Sequence, residues 1–260
     1  MNKQDFYAAL RSDKRVFGTS IGTNQVATME HLIRAIQSHG LSDAQAAYVF
    51  ATAYHEPGPR SRMVPNRENM NYSSARQLVR VWPSRFNATN AAAFVNAPQA
   101  LANKVYNGRL GNRKGTNDGW IYRGGGLDHT TGRENYRKNS AYTGVDLVAH
   151  PERILEPAVA ADCIVSGMVS GRYTGKKLAH YINDKQTDFI NARRIINGAS
   201  RYEREKVEPW VKGYAEAFLS AIEAGGGITA AKAPTLPPAP RKTGWGDVLA
   251  AILKLFGVKK

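Results

Sequence analysis

Residues 51–73 read ATAYHEPGPRSRMVPNRENMNYS, with Glu56 near the start and Glu68 near the end. Upstream, Leu41 to His55 carries helical periodicity: Ser42 is a good N-cap, and Ala44, Ala47, Tyr48 and Ala51 recur at three- and four-residue steps. Glu56 is therefore expected at a helix end. Pro57, Gly58 and Pro59 stop that helix, because proline lacks an amide donor and disfavours helical geometry in the residue before it. A polar, irregular segment follows and carries the second carboxylate.

Two carboxylates on separate backbone elements suit hydrolysis of a glycosidic bond. One must be protonated to supply a proton to the departing oxygen, while the other stays ionised to activate water. Different surroundings can push their pKa values apart. The bland alternative makes Glu56 a solvated helix terminus and Glu68 a loop salt-bridge partner.

Working outward, Asp5 to Arg11 reads as a short helix. Thr23 to His39 reads as a longer one, capped by Thr23, with Val26, Met29, Ile33 and Ile36 buried and Gly40 as its stop. With Leu41 to His55 it is expected to form an antiparallel pair. Ser74 to Val81 and Pro98 to Tyr106 are further helices, and GRLGNRKGTNDGW between 108 and 120 is a surface loop without phosphate-loop spacing. Thr131 and Glu134 match a T-x-x-E capping box. Pro157 opens a helix with Val159, Ala160, Cys163, Ile164, Gly167 and Met168 on its apolar face. Thr187 is read as the cap of Asp188 to Ile196. A last helix from Ser200 to Ala224 turns Trp210, Tyr214, Phe218 and Ile222 inward, with Pro209 as a kink. Strand signals are sparse, so the expected class is mostly α with at most a small β-hairpin between Arg60 and Tyr72.

The 260 residues can bury a sizeable core, and their net charge of +15 implies attraction to a polyanion. No aromatic stacking motif or recognition helix points to nucleic acid. The single cysteine, Cys163, excludes an internal disulfide and reads as core filler. The N-terminus is too polar for a signal peptide, so a substrate outside the cytoplasm would call for another export route. His55 and Glu56 lack the second histidine of an H-E-x-x-H helix, and the other five histidines show no ligand spacing. Neither metal nor cofactor is expected. Residues 225–243, rich in Pro, Gly and Ala, read as a linker after a catalytic unit at 1–224. Residues 244–260 read as a basic amphipathic helix suited to an anionic membrane or lipopolysaccharide, or to docking on the catalytic domain or on another copy.

The segments ATAYHE, RENMNYSSARQLVRVWPSRF, LANKVYNGRLGN, DGWIYRGGGL, TTGRENY and INGASRYE, in this order and spacing from about residue 20 to 222, resemble the family 19 glycoside hydrolases, specifically the chitinase-like phage endolysins. The resemblance implies a lysozyme-like, two-lobed helical domain, a monomer acting on the glycan strands of bacterial peptidoglycan. It implies Glu56 as general acid, Glu68 as general base and Thr131 as a holder of the attacking water. It also places Asn71, Tyr72, Arg123, His129 and Asn197 along the sugar cleft. Gly125 stands where the family pattern has arginine, and His129 where it has a substrate-contacting glutamine. HEPGP replaces the usual H-E-S-G-G. A chitinase on the same scaffold, a lytic transglycosylase, and a cationic membrane-active protein whose tail dominates killing are the alternatives.

Overall fold

The computed structural model describes residues 1–198, 200 and 202–228. The linker from residue 229 on and the amphipathic helix read at 244–260 lie outside the described residues. In chain order the elements are α1 (Lys3–Ser12), α2 (Thr23–Ser38), α3 (Asp43–His55), β1 (Asn66–Arg67), α4 (Ala75–Val81), α5 (Pro98–Tyr106), α6 (Asp118–Ile121) and β2 (Gly125–Gly126). There follow α7 (Arg133–Thr143), α8 (Pro157–Ser170), α9 (Leu178–Tyr181), β3 (Ile182–Asn183), β4 (Gln186–Thr187) and α10 (Glu208–Ala224). The class is mostly α, as the sequence leads one to expect, and the arrangement is consistent with a lysozyme-like fold.

The cores explain the two lobes. The larger joins α1, α2, α3, α8 and α10, where Phe6, Met29, Leu32, Phe50, Ile164, Met168 and Phe218 are all fully buried. The smaller is built on α4 and α5 around Met70, Leu78, Phe86 and Leu101. A third cluster under α7 holds Tyr122, Tyr136, Ile154 and Cys163, so the cysteine is core filler as read. α3 is the axis of the large lobe. Ser42 accepts the Gln45 amide while the Gln45 side chain returns to the Ser42 amide, a reciprocal cap that fixes its start. The run from Ala46 to Tyr54 is buried on every side, as expected of a helix enclosed by others.

Several local expectations are corrected. α2 packs chiefly on α8 and α3 chiefly on α10, so the two consecutive helices are not a mutually packed pair. The cap of α2 is Gly22, whose amide is held by Gln25, rather than Thr23. The capping box at 131–134 does not form: Gly132, at φ +93, is the residue before α7, Thr131 donates to the His129 carbonyl, and Glu134 pairs with Arg137. Thr187 belongs to β4, and Asp188 instead accepts the Asn191 amide to open a short 3-10 turn over Asn191–Ile195. The hairpin lies at β3–β4, whereas Asn66–Arg67 pairs across the molecule with Gly125–Gly126.

The last helix also differs in register. Trp210 is 53% exposed, and Val211 takes the inward place with Val207, Ala215, Phe218 and Ile222. Three consecutive four-residue steps back from Ile222 fall about 120° out of phase with a 3.6-residue period, which carries position 210 off the buried face. Pro209 lies in the first turn of α10, directly after a π turn over Glu203–Val207. Past Ala224 the chain stays attached to the body, since Ile228 is buried and its amide donates to Asp43.

The approach of Gly132 to Leu110 sets the entry to α7. A Cβ at Gly132 would stand 2.7 Å from the Leu110 carbonyl oxygen, at a backbone angle that side chains rarely adopt. Gly132→Ala is therefore expected to cost about 2 kcal/mol or more, read as a fall in the denaturant midpoint. An unchanged midpoint would show that this turn is not held as described.

Candidate active site

Glu56 is the C-cap of α3, and its amide still donates to the Thr52 carbonyl at 3.0 Å. It keeps right-handed helical dihedrals in spite of the following proline, which only ends the helix one residue later. Its carboxylate forms an ion pair with Arg193, a buried guanidinium that also bonds Glu203 through Nε at 2.8 Å. Burial works to lower the Arg193 pKa, but the two carboxylates outweigh it and leave the group above its ordinary value. The next residue toward the surface, Asn197, donates to the other oxygen of Glu203 at 3.1 Å. His55, beside Glu56, has its pKa lowered chiefly by burial.

Glu68 follows β1 directly. Its amide donates to the Gly124 carbonyl at 2.8 Å, an extension of the β1–β2 pairing. Its half-buried carboxylate receives the Tyr106 hydroxyl at 2.9 Å and the Gly124 amide at 3.3 Å. Tyr106 is driven well above its ordinary pKa by burial and by Glu68, so it is a donor at any working pH. Gly124 has to be small here: an added Cβ would meet the Glu68 Cβ at 3.1 Å and the His129 Cβ at 3.4 Å. Loss of a hydrogen bond to a charged group costs about 1.5–3 kcal/mol. Tyr106→Phe is accordingly expected to lower turnover tenfold or more with little change in KM. Unaltered turnover would remove Tyr106 from the site.

One side chain ties the two carboxylate segments together. Asn66, in β1, donates its amide to the Pro57 carbonyl at 2.9 Å, immediately after Glu56. This leaves Asn66 Oδ1 as acceptor for His129 Nε2 at 2.7 Å, which fixes the histidine tautomer with its proton on Nε2. His129 is in left-handed geometry at φ +48, unusual for a residue with a side chain and stabilised here by that bond. Its carbonyl in turn accepts the Thr131 hydroxyl at 2.9 Å. Thr131 thereby keeps its lone pairs for a further donor.

Apart from Tyr72, the remaining sequence-derived positions line two concave regions. Asn71 and Arg123 line one of about 530 Å³ with Glu68, Asn69, Asn96 and Trp120. Arg123 Cζ stands 3.5 Å from the Trp120 ring centroid, and Nε donates to the Glu68 carbonyl at 3.3 Å. Tyr72 packs edge-on against Trp82, and its pKa is raised by burial and then by Glu68, which places it near that carboxylate. His129, Thr131 and Asn197 line the other, of about 560 Å³. A larger concavity of about 860 Å³ along α4, lined by Ser74, Arg76 and Arg80 among others, contains no carboxylate and lacks an acid and base pair.

Position 125 has a physical reason to be glycine. A Cβ there would stand 2.6 Å from the Tyr136 hydroxyl and 3.3 Å from Arg67 Nη1, whose guanidinium bonds the Ile121 carbonyl at 3.1 Å. An arginine already fills the space beside β2, contributed by its pairing partner in β1.

Sequence reading missed Arg193, Glu203, Tyr106 and Asn66. Arg193 did leave a trace, because it falls in phase with the buried Phe189, Ala192 and Ile195 while its neighbour Arg194 is exposed. A basic residue on an apolar face needs a buried carboxylate partner. Tyr106 and Asn66 carry no such mark.

No family model matches the chain. Over 107 residues it is 34% identical to a glycosyl hydrolase family 19 domain-containing protein of Haemophilus influenzae, a stretch that is 40% of this chain and 50% of that protein. The chain thus spans about half the length of the curated relative it matches. That likeness supports the resemblance to family 19 drawn from the motifs.

Proposed function

We propose that the chain is a glycoside hydrolase of the family 19 type that cleaves β-1,4 bonds in the glycan of bacterial peptidoglycan, as a phage endolysin does. The observation that carries this reading is the contrast between its two carboxylates. Glu56 shares one buried guanidinium with Glu203, whereas Glu68 is held by neutral donors beside an open groove. Glu203 holds Arg193 in place independently of Glu56. Glu56 then protonates the departing oxygen.

Glu68, oriented by Tyr106 and the Gly124 amide, accepts a proton from water, and Thr131 accepts the other water hydrogen. The family resemblance implies inversion at the anomeric carbon, which needs room for a water between the two carboxyl groups. Partners follow from this: peptidoglycan strands at the groove, and an anionic membrane or lipopolysaccharide for the basic residues 245–260. No nucleic acid or cofactor is required, and one copy of the chain supplies the full set of groups. Cytoplasmic synthesis followed by release to the wall belongs to the same proposal.

Digestion of purified wall and of chitin oligomers, with mass and anomeric configuration of the products, tests it. Reducing ends released from wall with inverted configuration support it. Anhydro ends would make the chain a lytic transglycosylase, and cleavage of chitin alone a chitinase. Deleting residues 229–260 and comparing intact cells with isolated walls assigns the tail. Loss on cells alone gives it an access role.

A further inference from the structure

Charge is divided unevenly between the two lobes. Residues 69–117, which supply every buried member of the smaller core, contain five arginines, two lysines and no aspartate or glutamate. The rest of the chain holds 29 basic and all 21 acidic residues. Of the seven basic residues in the segment, Arg113 alone has an ion pair among the described residues, and its partner Asp118 lies just past the segment. In the larger lobe, by contrast, Lys3, Arg15, Arg193 and Lys212 each meet a carboxylate.

Two of the arginines without an ion pair share one concavity. Ser74 caps α4 by accepting the Gln77 amide at 3.4 Å, and Leu78 is fully buried in the small core. Arg76 and Arg80, four residues apart and so neighbours on the helix surface, are both exposed. They line the hollow of about 860 Å³ together with Ala75, Val79 and Ala88. Like charges gathered in a hollow with no carboxylate between them focus the field and attract an anion.

Charge, shape and position select the occupant. The net-positive residues 245–260 are repelled, as is the same face of a second copy. An uncharged amino-sugar chain gains nothing from the arginines, and a hollow suits a strand better than the plane of a bilayer. Ser74 is three residues from Asn71 of the groove beside Glu68, a separation of about 11 Å at most even in extended chain. A long strand seated at Glu68 therefore has the α4 hollow within reach.

We propose that the α4 hollow is a binding face for the acidic peptide stems of that strand, with stem carboxylates on Arg76 and Arg80. The inference rests on the reading of the chain as a peptidoglycan hydrolase, and it gives a preference for wall over chitin that is independent of the sugar contacts. Exposed ion pairs are individually weak, so the selectivity comes from the repetition of stems along the strand.

The test is cosedimentation of the full chain, in the cold and at low salt, with peptidoglycan whose amines are acetylated and whose carboxylates are either free or coupled to methylamine. Arg76→Gln/Arg80→Gln should weaken binding to the free-carboxylate wall about fivefold or more. The carboxylate-capped wall should bind wild type and this variant equally. Arg11→Gln/Lys14→Gln, which removes the same charge from exposed positions at the end of α1, should bind both walls as wild type does. An equal loss in the α1 variant would reduce the effect to overall charge and overturn the face. So would an equal loss on capped wall, or a loss seen only with lipopolysaccharide vesicles, which would assign the hollow to the outer surface. Binding that depends on Arg76 and Arg80 with no fragments released from wall would sink the hydrolase reading and leave the face standing. Release of fragments by a protein whose α4 variant binds wall like wild type would do the reverse.

Discussion

Glu56→Gln should lower the rate of wall digestion by at least a hundredfold while the protein melts close to wild type. A positioned general acid contributes about 10²–10⁴ in rate, and a glutamine of the same shape has no proton of suitable acidity to give. The fold should survive because Arg193 is still neutralised by Glu203. Glu68→Gln should produce a loss of similar size for a different reason. The amide oxygen can still accept the Tyr106 hydroxyl, but it cannot take a proton from water.

The nature of the leaving group separates the two roles. An aryl glycoside whose leaving group departs as a stable anion needs no protonation, so it should restore much of the rate to Glu56→Gln. The same substrate should restore none to Glu68→Gln. Restoration in the opposite variant would exchange the acid and base, and full activity of Glu56→Gln on natural wall would remove Glu56 from the chemistry.

How far the sequence discloses this site depends on how local each interaction is. The reciprocal cap at Ser42, the prolines opening α5 and α8 and the helix end at Glu56 are set within one or two turns, and each was readable. The T-x-x-E match at Thr131 failed because the local signal competes with a tertiary one. Gly132 is held against Leu110 in a conformation incompatible with capping, and the hydroxyl turns back to the His129 carbonyl. The β1–β2 pair takes two residues from each of two segments almost sixty apart, too short to leave any alternation in the sequence. Yet that pair positions Glu68 relative to Gly124 and brings Arg67 against Gly125. Glu56 and Glu68 could be singled out from their motifs, whereas the groups that differentiate them, Arg193 with Glu203 and Tyr106 with the Gly124 amide, become visible only in the fold.

Arg193→Leu should be the most damaging single change to stability outside the hydrophobic cores. It removes the shared counter-charge and leaves two half-buried carboxylates facing an apolar side chain. Breaking a buried pair in this way costs about 3–5 kcal/mol. Arg193→Lys restores one positive charge but cannot fork between two carboxylates, so it should recover part of the stability and little of the turnover. Denaturant unfolding of both variants at neutral and acid pH, together with turnover on purified wall, gives the comparison. A leucine variant as stable as wild type at neutral pH would mean that Arg193 is not the common anchor of Glu56 and Glu203, and the contrast between the settings of Glu56 and Glu68 would need another origin.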